Sequence, residues 1–407
     1  MRRRKADLRR RVNTPLSLEF TSDQLTSYAG LELIGGYLRR LKFTRRLARH
    51  LGRLDLRGDY SAASIVRLLL AMLLVGARRL RHVGYLQGDP VVLRFCGLEV
   101  LPTDRTLSRW LSRCTAPVRT ALRSLQMELL GLSLKDLRLG RLTIDVDGTV
   151  LSTGLTVERA FRGYNPHHRK VPSYFPLTAH LAQTGHIVGL KNRSGNTADG
   201  KASLAFLREL FADLKEISPG AKLEIRMDGA FFRRDLLIWL ESRADYAIKV
   251  PFYRWLDLRT LVQERRRWKR VADGIDGFEV RLPMEPWGLE RRVAIYRKKV
   301  WHQSPKNYQL DLFDPDDGHY EYSAVVTNKT VTLRALWDFM AGRGAHEKVL
   351  SELKGAYAFD AIPTHDYAAN STWQILSAMA HNLMVSFQIQ AGAQPVSYTH
   401  LRAHETV

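Results

Sequence analysis

The sequence predicts an α/β protein in which a mixed sheet is covered by helices. Residues 23–135 are rich in Leu, Ala and Arg, and their apolar residues recur at intervals of three and four, as in helices. From about residue 140, strand-like and helix-like runs follow in the order β-β-β-α-β-α-β, which is typical of a mixed sheet with helices packed on it. Residues 251–330 lose this rhythm and alternate mainly as strands, so they predict a β-rich insertion inside the sheet domain.

These changes in composition and in the spacing of apolar residues also predict the domain organisation. In chain order, the predicted units are a basic, flexible N-terminus (1–22), an all-α region for DNA binding or oligomerisation (23–135), the first part of the sheet domain (140–250), the insertion (251–330), the second part of the sheet domain (331–392) and a tail (396–407). The tail does not continue the preceding helix and resembles a translated sequencing adapter, so we expect it to be non-native.

The charge balance predicts a polyanionic partner. The chain has 63 Lys and Arg against 41 Asp and Glu, a formal net charge of +22. Such an excess favours nucleic acid first and an anionic membrane surface second. The most apolar run, residues 65–76, is too short to span a bilayer, so no membrane segment is expected. The two cysteines, Cys96 and Cys114, lack CxxC spacing, which argues against a zinc site or disulfides and fits the cytoplasm.

A short helix in the all-α region is a candidate for DNA recognition. Thr103 or Asp104 can begin it, and Arg105, Arg109 and Arg113 then form one stripe. A helix of this size could be the second helix of a helix-turn-helix, with its N-terminal residues reaching bases. An ordinary amphipathic helix in a bundle is the alternative.

The insertion carries a second basic candidate. Arg265, Arg266 and Arg267 stand next to Trp268, and further aromatic and basic residues alternate along residues 251–330. Basic residues interleaved with aromatic ones suit a path for DNA. A β-rich support with solvated charges is the alternative.

Three aspartates lie in or after predicted strands. Asp145 and Asp147 share one face of the run Arg141-Leu-Thr-Ile-Asp-Val-Asp-Gly-Thr, and Asp228 ends a later strand. A carboxylate inside a strand is costly unless it is paired or bound to a metal ion. Acids at strand ends converge where ligands bind in such sheets.

A late helix carries a third acid between two bases. Glu347 follows Arg343 by four residues and precedes Lys354 by seven, and both spacings return to nearly the same helix face. Such a face could bind a metal ion through Glu347 and a phosphate through the two bases. A solvated helix with charge pairs is the alternative.

Taken in order, these motifs resemble the catalytic core of the DDE transposases, and more closely the group 1 DDE transposases of bacterial insertion sequences. The resemblance rests on Asp147-Gly-Thr, on Asp228-Gly-Ala-Phe and on Arg343-x3-Glu347-x6-Lys354. Tyr174-Phe-Pro-Leu and Arg193-x-Gly-Asn add to it. It covers most of residues 100–390, and implies an RNase H-like mixed sheet. One position departs from the pattern, because Met340 stands where the group usually has tyrosine.

The resemblance implies metal-dependent cleavage of double-stranded DNA at the element's ends and strand transfer into a target. Asp147, Asp228 and Glu347 would hold two Mg²⁺ ions, or Mn²⁺, and Asp145 is the alternative first ligand. Arg343 and Lys354 would position phosphates, and a homodimer is expected in the DNA complex. The resemblance also implies a cytoplasmic, nucleoid-associated bacterial enzyme. Two alternatives stay open: an RNase H-like nuclease without strand transfer, and an inactive DNA-binding relic.

Overall fold

A computed structural model describes residues 25–300 and 320–392, apart from residues 57, 164, 166, 167, 169 and 199. The predicted N-terminus (1–22) and tail (396–407) therefore lie outside the described residues, as does part of the insertion.

The region before residue 140 is helical, as the sequence predicts. Ser61 begins one helix by accepting a hydrogen bond from the backbone amide of Ser64. Thr103, not Asp104, begins the candidate recognition helix by accepting from the amide of Thr106. The helices are α1 (Gly30–Arg40), α2 (Phe43–Leu51), α3 (Ala62–Leu74), α4 (Pro90–Cys96), α5 (Asp104–Ser112) and α6 (Ala116–Leu137), with a 3₁₀ helix at Leu80–Tyr85.

A nine-stranded mixed sheet forms the centre of the molecule. Its strand order is β5-β4-β1-β6-β7-β11-β10-β9-β8, and β1, β6 and β7 run parallel while the others pair antiparallel. The strands and the two helices among them are β1 (Arg141–Gly148), β4 (Leu177–Leu181), β5 (Ile187–Lys191), α7 (Ser203–Ile217), β6 (Lys222–Met227), α8 (Arg234–Leu240) and β7 (Asp245–Lys249); β2 (Leu151–Ser152) and β3 (Ser173–Tyr174) form a separate small ladder. The predicted fold class, an α/β protein with a mixed sheet and flanking helices, is confirmed by this architecture.

The insertion widens this sheet. After α9 (Leu258–Gln263) come β8 (Lys269–Ala272), β9 (Ile275–Met284), β10 (Leu289–Lys299) and β11 (Tyr320–Thr327). β11 pairs antiparallel with β7, and β10, β9 and β8 follow it outwards. The described part of the insertion therefore continues the central sheet at its edge.

In the described residues after β11, three α-helices follow: α10 (Leu333–Ala341), α11 (Ala345–Tyr357) and α12 (Tyr367–Gln390). The sequence predicts an amphipathic last helix, but α12 is buried on nearly every side. It packs against α3, α5, α6, α11 and β5, and its apolar residues share one core with the N-terminal helices. In the described part of the chain, no helix is both long and apolar enough to cross a membrane.

The two thiols lie inside this helical core. Cys96 and Cys114 are fully buried and unbridged, and burial raises the pKa of each thiol to about 12. Since the thiolate is the reactive form, both groups should resist alkylation at pH 8 in the native protein and react after unfolding. Labelling with iodoacetamide, with and without denaturant, followed by mass measurement checks this. Rapid labelling of either residue without denaturant would contradict the buried position.

Candidate active site

Asp147 and Asp228 lie at the ends of two neighbouring parallel strands. The register of β1 and β6 ends with Val146 opposite Met227, so each aspartate comes next on its strand. Both are half-buried. Asp147 accepts a hydrogen bond from its neighbouring amide, Gly148, and Asp228 accepts one from Ala230 as it begins a 3₁₀ turn. The two carboxylates therefore lie at the same edge of the sheet, where these parallel strands end.

The segment between α10 and α11 brings Arg343 to this edge. Arg343 lies in a 3₁₀ turn, Gly342–Gly344, directly before α11, whereas the sequence predicts it on the same helix as Glu347. Its Nη2 lies 2.6 Å from Oδ2 of Asp147, a contact between residues 196 positions apart. The predicted phosphate-binding arginine is therefore paired with a predicted metal ligand.

Glu347 and Lys354 both lie on α11. Glu347 is exposed in its first turn. Lys354 is half-buried in its last turn and donates to the carbonyl of Val150, just beyond β1, at 3.3 Å. Burial lowers the pKa of Lys354. The α11 face thus lies along the end of β1.

A cavity of about 730 Å³ opens beside these residues. Glu347, Arg343 and the turn after Asp228 line one side, and strands β10 and β11 of the insertion line the other. Lys249 and Lys298 add positive charge to its wall, and Met340, at the position where the group has tyrosine, also lines it. The cavity has the cations that a phosphate backbone requires.

The three predicted ligands are not gathered into a finished metal site. Among the described residues, no group of three or more His, Cys, Asp or Glu side chains could hold a metal ion. The donor chemistry nevertheless suits Mg²⁺, because all three groups are carboxylates. One of them, Asp147, accepts a hydrogen bond from Arg343.

Asp145, the alternative first ligand, is in a different environment. It is fully buried, and both its oxygens accept hydrogen bonds from Arg226, at 2.5 and 2.6 Å. Burial raises the pKa of the Asp145 carboxyl, and the bonds from Arg226 oppose that shift. Both oxygens of Asp145 therefore bind Arg226, whereas those of Asp147 accept from the Gly148 amide and from Arg343.

Two buried histidines connect α11 to the sheet. His346, next to Glu347, lies with its Nδ1 2.5 Å from Nδ1 of His180 on β4, and its Nε2 lies 3.2 Å from the hydroxyl of Thr178. Burial lowers the pKa of His346 to about 3 and holds that of His180 well below its ordinary value. Both rings are therefore neutral at pH 7, and they connect α11 to the sheet by hydrogen bonds without adding charge.

The candidate recognition helix lines a basic groove of about 650 Å³. Arg105 and Arg109 on α5 are exposed, while Leu107, Trp110 and Leu111 face the core. Arg79, directly before the 3₁₀ helix Leu80–Tyr85, and Arg81 within it line the same groove. Four arginines thus surround one concave surface.

The insertion arginines lie in the loop between α9 and β8. Arg265, Arg266 and Arg267 are all exposed. The Arg265 guanidinium stacks over the Phe278 ring at 4.6 Å and donates to the carbonyl of Arg267. Arg266 and Arg267 thus present their charge to solvent more directly than Arg265.

Three arginines near these sites are not among the residues predicted from the sequence. Arg79 and Arg81 carry no recognisable motif. Arg226 does have a sequence signal, because it precedes Asp228 by two residues as Asp145 precedes Asp147. If the two strands are neighbours, that equal spacing pairs a cation with the buried acid.

Comparison with known protein families identifies the family of this chain. Residues 8–403 match the family model described as transposase DDE domain, group 1. The chain therefore belongs to the group 1 transposase DDE domain family. Members of this family generally use divalent metal ions. A search of curated proteins finds no match.

Solved transposase structures are also similar to this chain. They include the piggyBac transposase synaptic complex with hairpin DNA, with 11% identity, a TM-score of 0.45, and coverage of 92% of this chain and 78% of that one. The Mos1 transposase paired-end complex with the left transposon end has 12% identity, a TM-score of 0.21, and coverage of 56% and 68%. The Mos1 mariner paired-end complex with Mn has 10% identity, a TM-score of 0.19, and coverage of 55% and 78%. The family assignment rests on the sequence match.

Proposed function

We propose that this transposase cleaves DNA at the ends of an insertion sequence and joins the freed end to target DNA. The observation that carries the proposal is the position of the motif acids. Asp147 and Asp228 end adjacent strands, Arg343 contacts Asp147, and Glu347 lines the same cavity as Arg343. A site of acids beside a basic cavity suits phosphoryl transfer.

The chemistry consists of two displacements at phosphorus. In the first, a water oxygen bonds to the phosphorus at the element's end, its proton is released, and the 3′-oxygen leaves and is protonated. In the second, that 3′-hydroxyl bonds to a target phosphorus and displaces a 3′-oxygen of the target. Asp147, Asp228 and Glu347 would hold Mg²⁺ ions, with Mn²⁺ as a substitute. When bound, the ions activate the attacking oxygen and stabilise the leaving one.

Arg343 has two successive partners in this proposal. Without DNA it neutralises Asp147, as the 2.6 Å contact supports. A phosphate in the cavity would offer the guanidinium a second anion with suitable bidentate geometry. Lys354, whose pKa is lowered by burial, would supply a second positive group near the end of β1.

DNA would contact the protein at two further places. The groove containing Arg105 and Arg109 would bind the element's ends, with Arg79 and Arg81 on adjacent phosphates. The loop of Arg265, Arg266 and Arg267 would contact the backbone without reading bases. The homodimer in the DNA complex stays a prediction.

The test uses the purified chain with labelled duplexes that carry the element's ends. We expect nicking in the presence of Mg²⁺ or Mn²⁺, its loss in EDTA, and joined products when target DNA is added. Nicking without joined products would identify a nuclease that lacks strand transfer. A folded protein that binds the ends and never nicks them would be the inactive relic.

A further inference from the structure

A buried ion pair lies on the same two strands as Asp147 and Asp228, two residues before each of them. Asp145 and Arg226 lie opposite each other in the register of β1 and β6, and each precedes one of the two acids by two residues. Because side chains alternate along a strand, residues two apart share a face. The buried pair therefore joins the two strands by side-chain hydrogen bonds two positions before Asp147 and Asp228.

Arg226 also reaches the segment that carries the third acid. Besides its two bonds to Asp145, its Nη1 donates to the carbonyl of Phe339 at 2.6 Å, at the end of α10. Its guanidinium stacks over the Phe339 ring at 5.2 Å. The five donors of a guanidinium form a rigid planar fork, so one side chain can hold two partners in fixed directions. Arg226 is almost fully buried there.

Gly342 makes this approach possible. A Cβ added to Gly342 would overlap Nη1 of Arg226, the nitrogen that donates to Phe339. Its backbone, at φ −59° and ψ −17°, accepts any residue, so only the contact with Arg226 requires glycine. Gly342 begins the turn that carries Arg343 and leads to Glu347.

We propose that Arg226 is a positioning residue for the metal site, connecting the strands of Asp147 and Asp228 with the turn before Glu347. This inference rests on the proposed function. Arg226 touches no reacting group. It acts through the placement of the three carboxylates, as outer hydrogen-bonding partners do for metal ligands.

The experiment adds one methyl group at Gly342. In Gly342→Ala the added methyl group should displace the Arg226 guanidinium from the Phe339 carbonyl, while every charged group of the site is kept. We expect Mn²⁺ affinity of the protein–DNA complex to fall about 10- to 100-fold. Electron paramagnetic resonance of free Mn²⁺ measures it, with the DNA alone as blank. Cleavage should need correspondingly more metal, with much of its rate restored at saturating Mn²⁺.

The matched control is Gly355→Ala on α11, where an added Cβ meets no atom within 4 Å. It should leave Mn²⁺ affinity unchanged and should not lower the temperature of thermal unfolding, because alanine is favoured over glycine inside a helix. A second variant, Arg226→Lys, keeps a cation beside Asp145 but lacks the planar guanidinium that binds Asp145 and the Phe339 carbonyl together. It should therefore weaken Mn²⁺ binding in the same way. It takes the place of Gly342→Ala if alanine prevents folding.

The outcomes separate the inference from the proposed function. Folded Gly342→Ala and Arg226→Lys proteins with the Mn²⁺ affinity of the wild type would overturn the positioning role. If they keep that affinity while Glu347→Gln loses it, only the positioning role is wrong. If Glu347→Gln also binds Mn²⁺ as the wild type does, the proposed metal site is wrong as well.

Discussion

Replacing Glu347 by glutamine should abolish cleavage of DNA ends and leave binding of those ends nearly unchanged. Glutamine keeps the size of the side chain and most of its hydrogen bonding but removes the charge that a metal ion requires. Loss of one electrostatic contribution in an active site commonly costs about 100-fold or more in rate. Glu347 is exposed, so the substitution disturbs no buried contact. Nicking and gel-shift assays on the same end-containing duplex measure the two effects.

The control is Glu352→Gln, the same chemical change five residues further along α11. Glu352 does not line the cavity, and burial, not a charged partner, raises the pKa of its carboxyl. Its variant should cleave and bind as the wild type does. Equal loss of cleavage and binding in Glu347→Gln would show that the residue has a structural role and would remove it from the metal site.

The second large effect is expected in the dependence of DNA affinity on salt. Each phosphate contact that is lost should reduce the slope of log affinity against log salt by about 0.9. Substituting glutamine for Arg265, Arg266 and Arg267 should therefore flatten the slope and weaken binding to all sequences alike. Because Arg265 is stacked on Phe278, we expect the other two to contribute most.

The same substitution at Arg105 and Arg109 should have a different signature. Both are exposed on α5 at the basic groove, so their loss should cost more on the element's own ends than on random DNA. Salt titrations with both DNAs, for both variants and the wild type, make the comparison. If the α5 variant lost affinity equally for the two DNAs, α5 would be a phosphate contact and end recognition would lie elsewhere.

Local sequence patterns were sufficient for most of the secondary structure, although they placed Arg343 on the helix of Glu347 and not in the turn before it. The caps at Ser61 and Thr103, the strand ends at Asp147 and before Asp228, and the helix of Glu347 follow from residues close together in the chain. Capping and side-chain periodicity act over one or two turns, so a single sequence carries them. The motifs around Asp147, Asp228 and Glu347, taken in chain order, then indicated the fold class and the family by resemblance.

The burial of the last helix could not be predicted from the spacing of its own apolar residues. Its periodicity predicts one solvent-facing side, yet α12 is covered by helices from the first third of the chain. The insertion is a similar case, because alternation predicts strands but does not say which sheet they join. β11 pairs with β7 although the rest of the insertion lies between them in the chain, and a local pattern does not predict such a distant pairing.

The sequence by itself determined that three acids stand at the ends of particular strands and near the start of one helix. Only the tertiary structure shows the different partners of Asp145 and Asp147, because a period of two places both on one face of β1. The pairing of β1 with β6 brings Arg226, 81 residues away, onto Asp145 and buries both. The turn before α11 brings Arg343, 196 residues away, onto Asp147. Such contacts depend on strand register and helix packing between distant parts of the chain, which no local sequence pattern encodes.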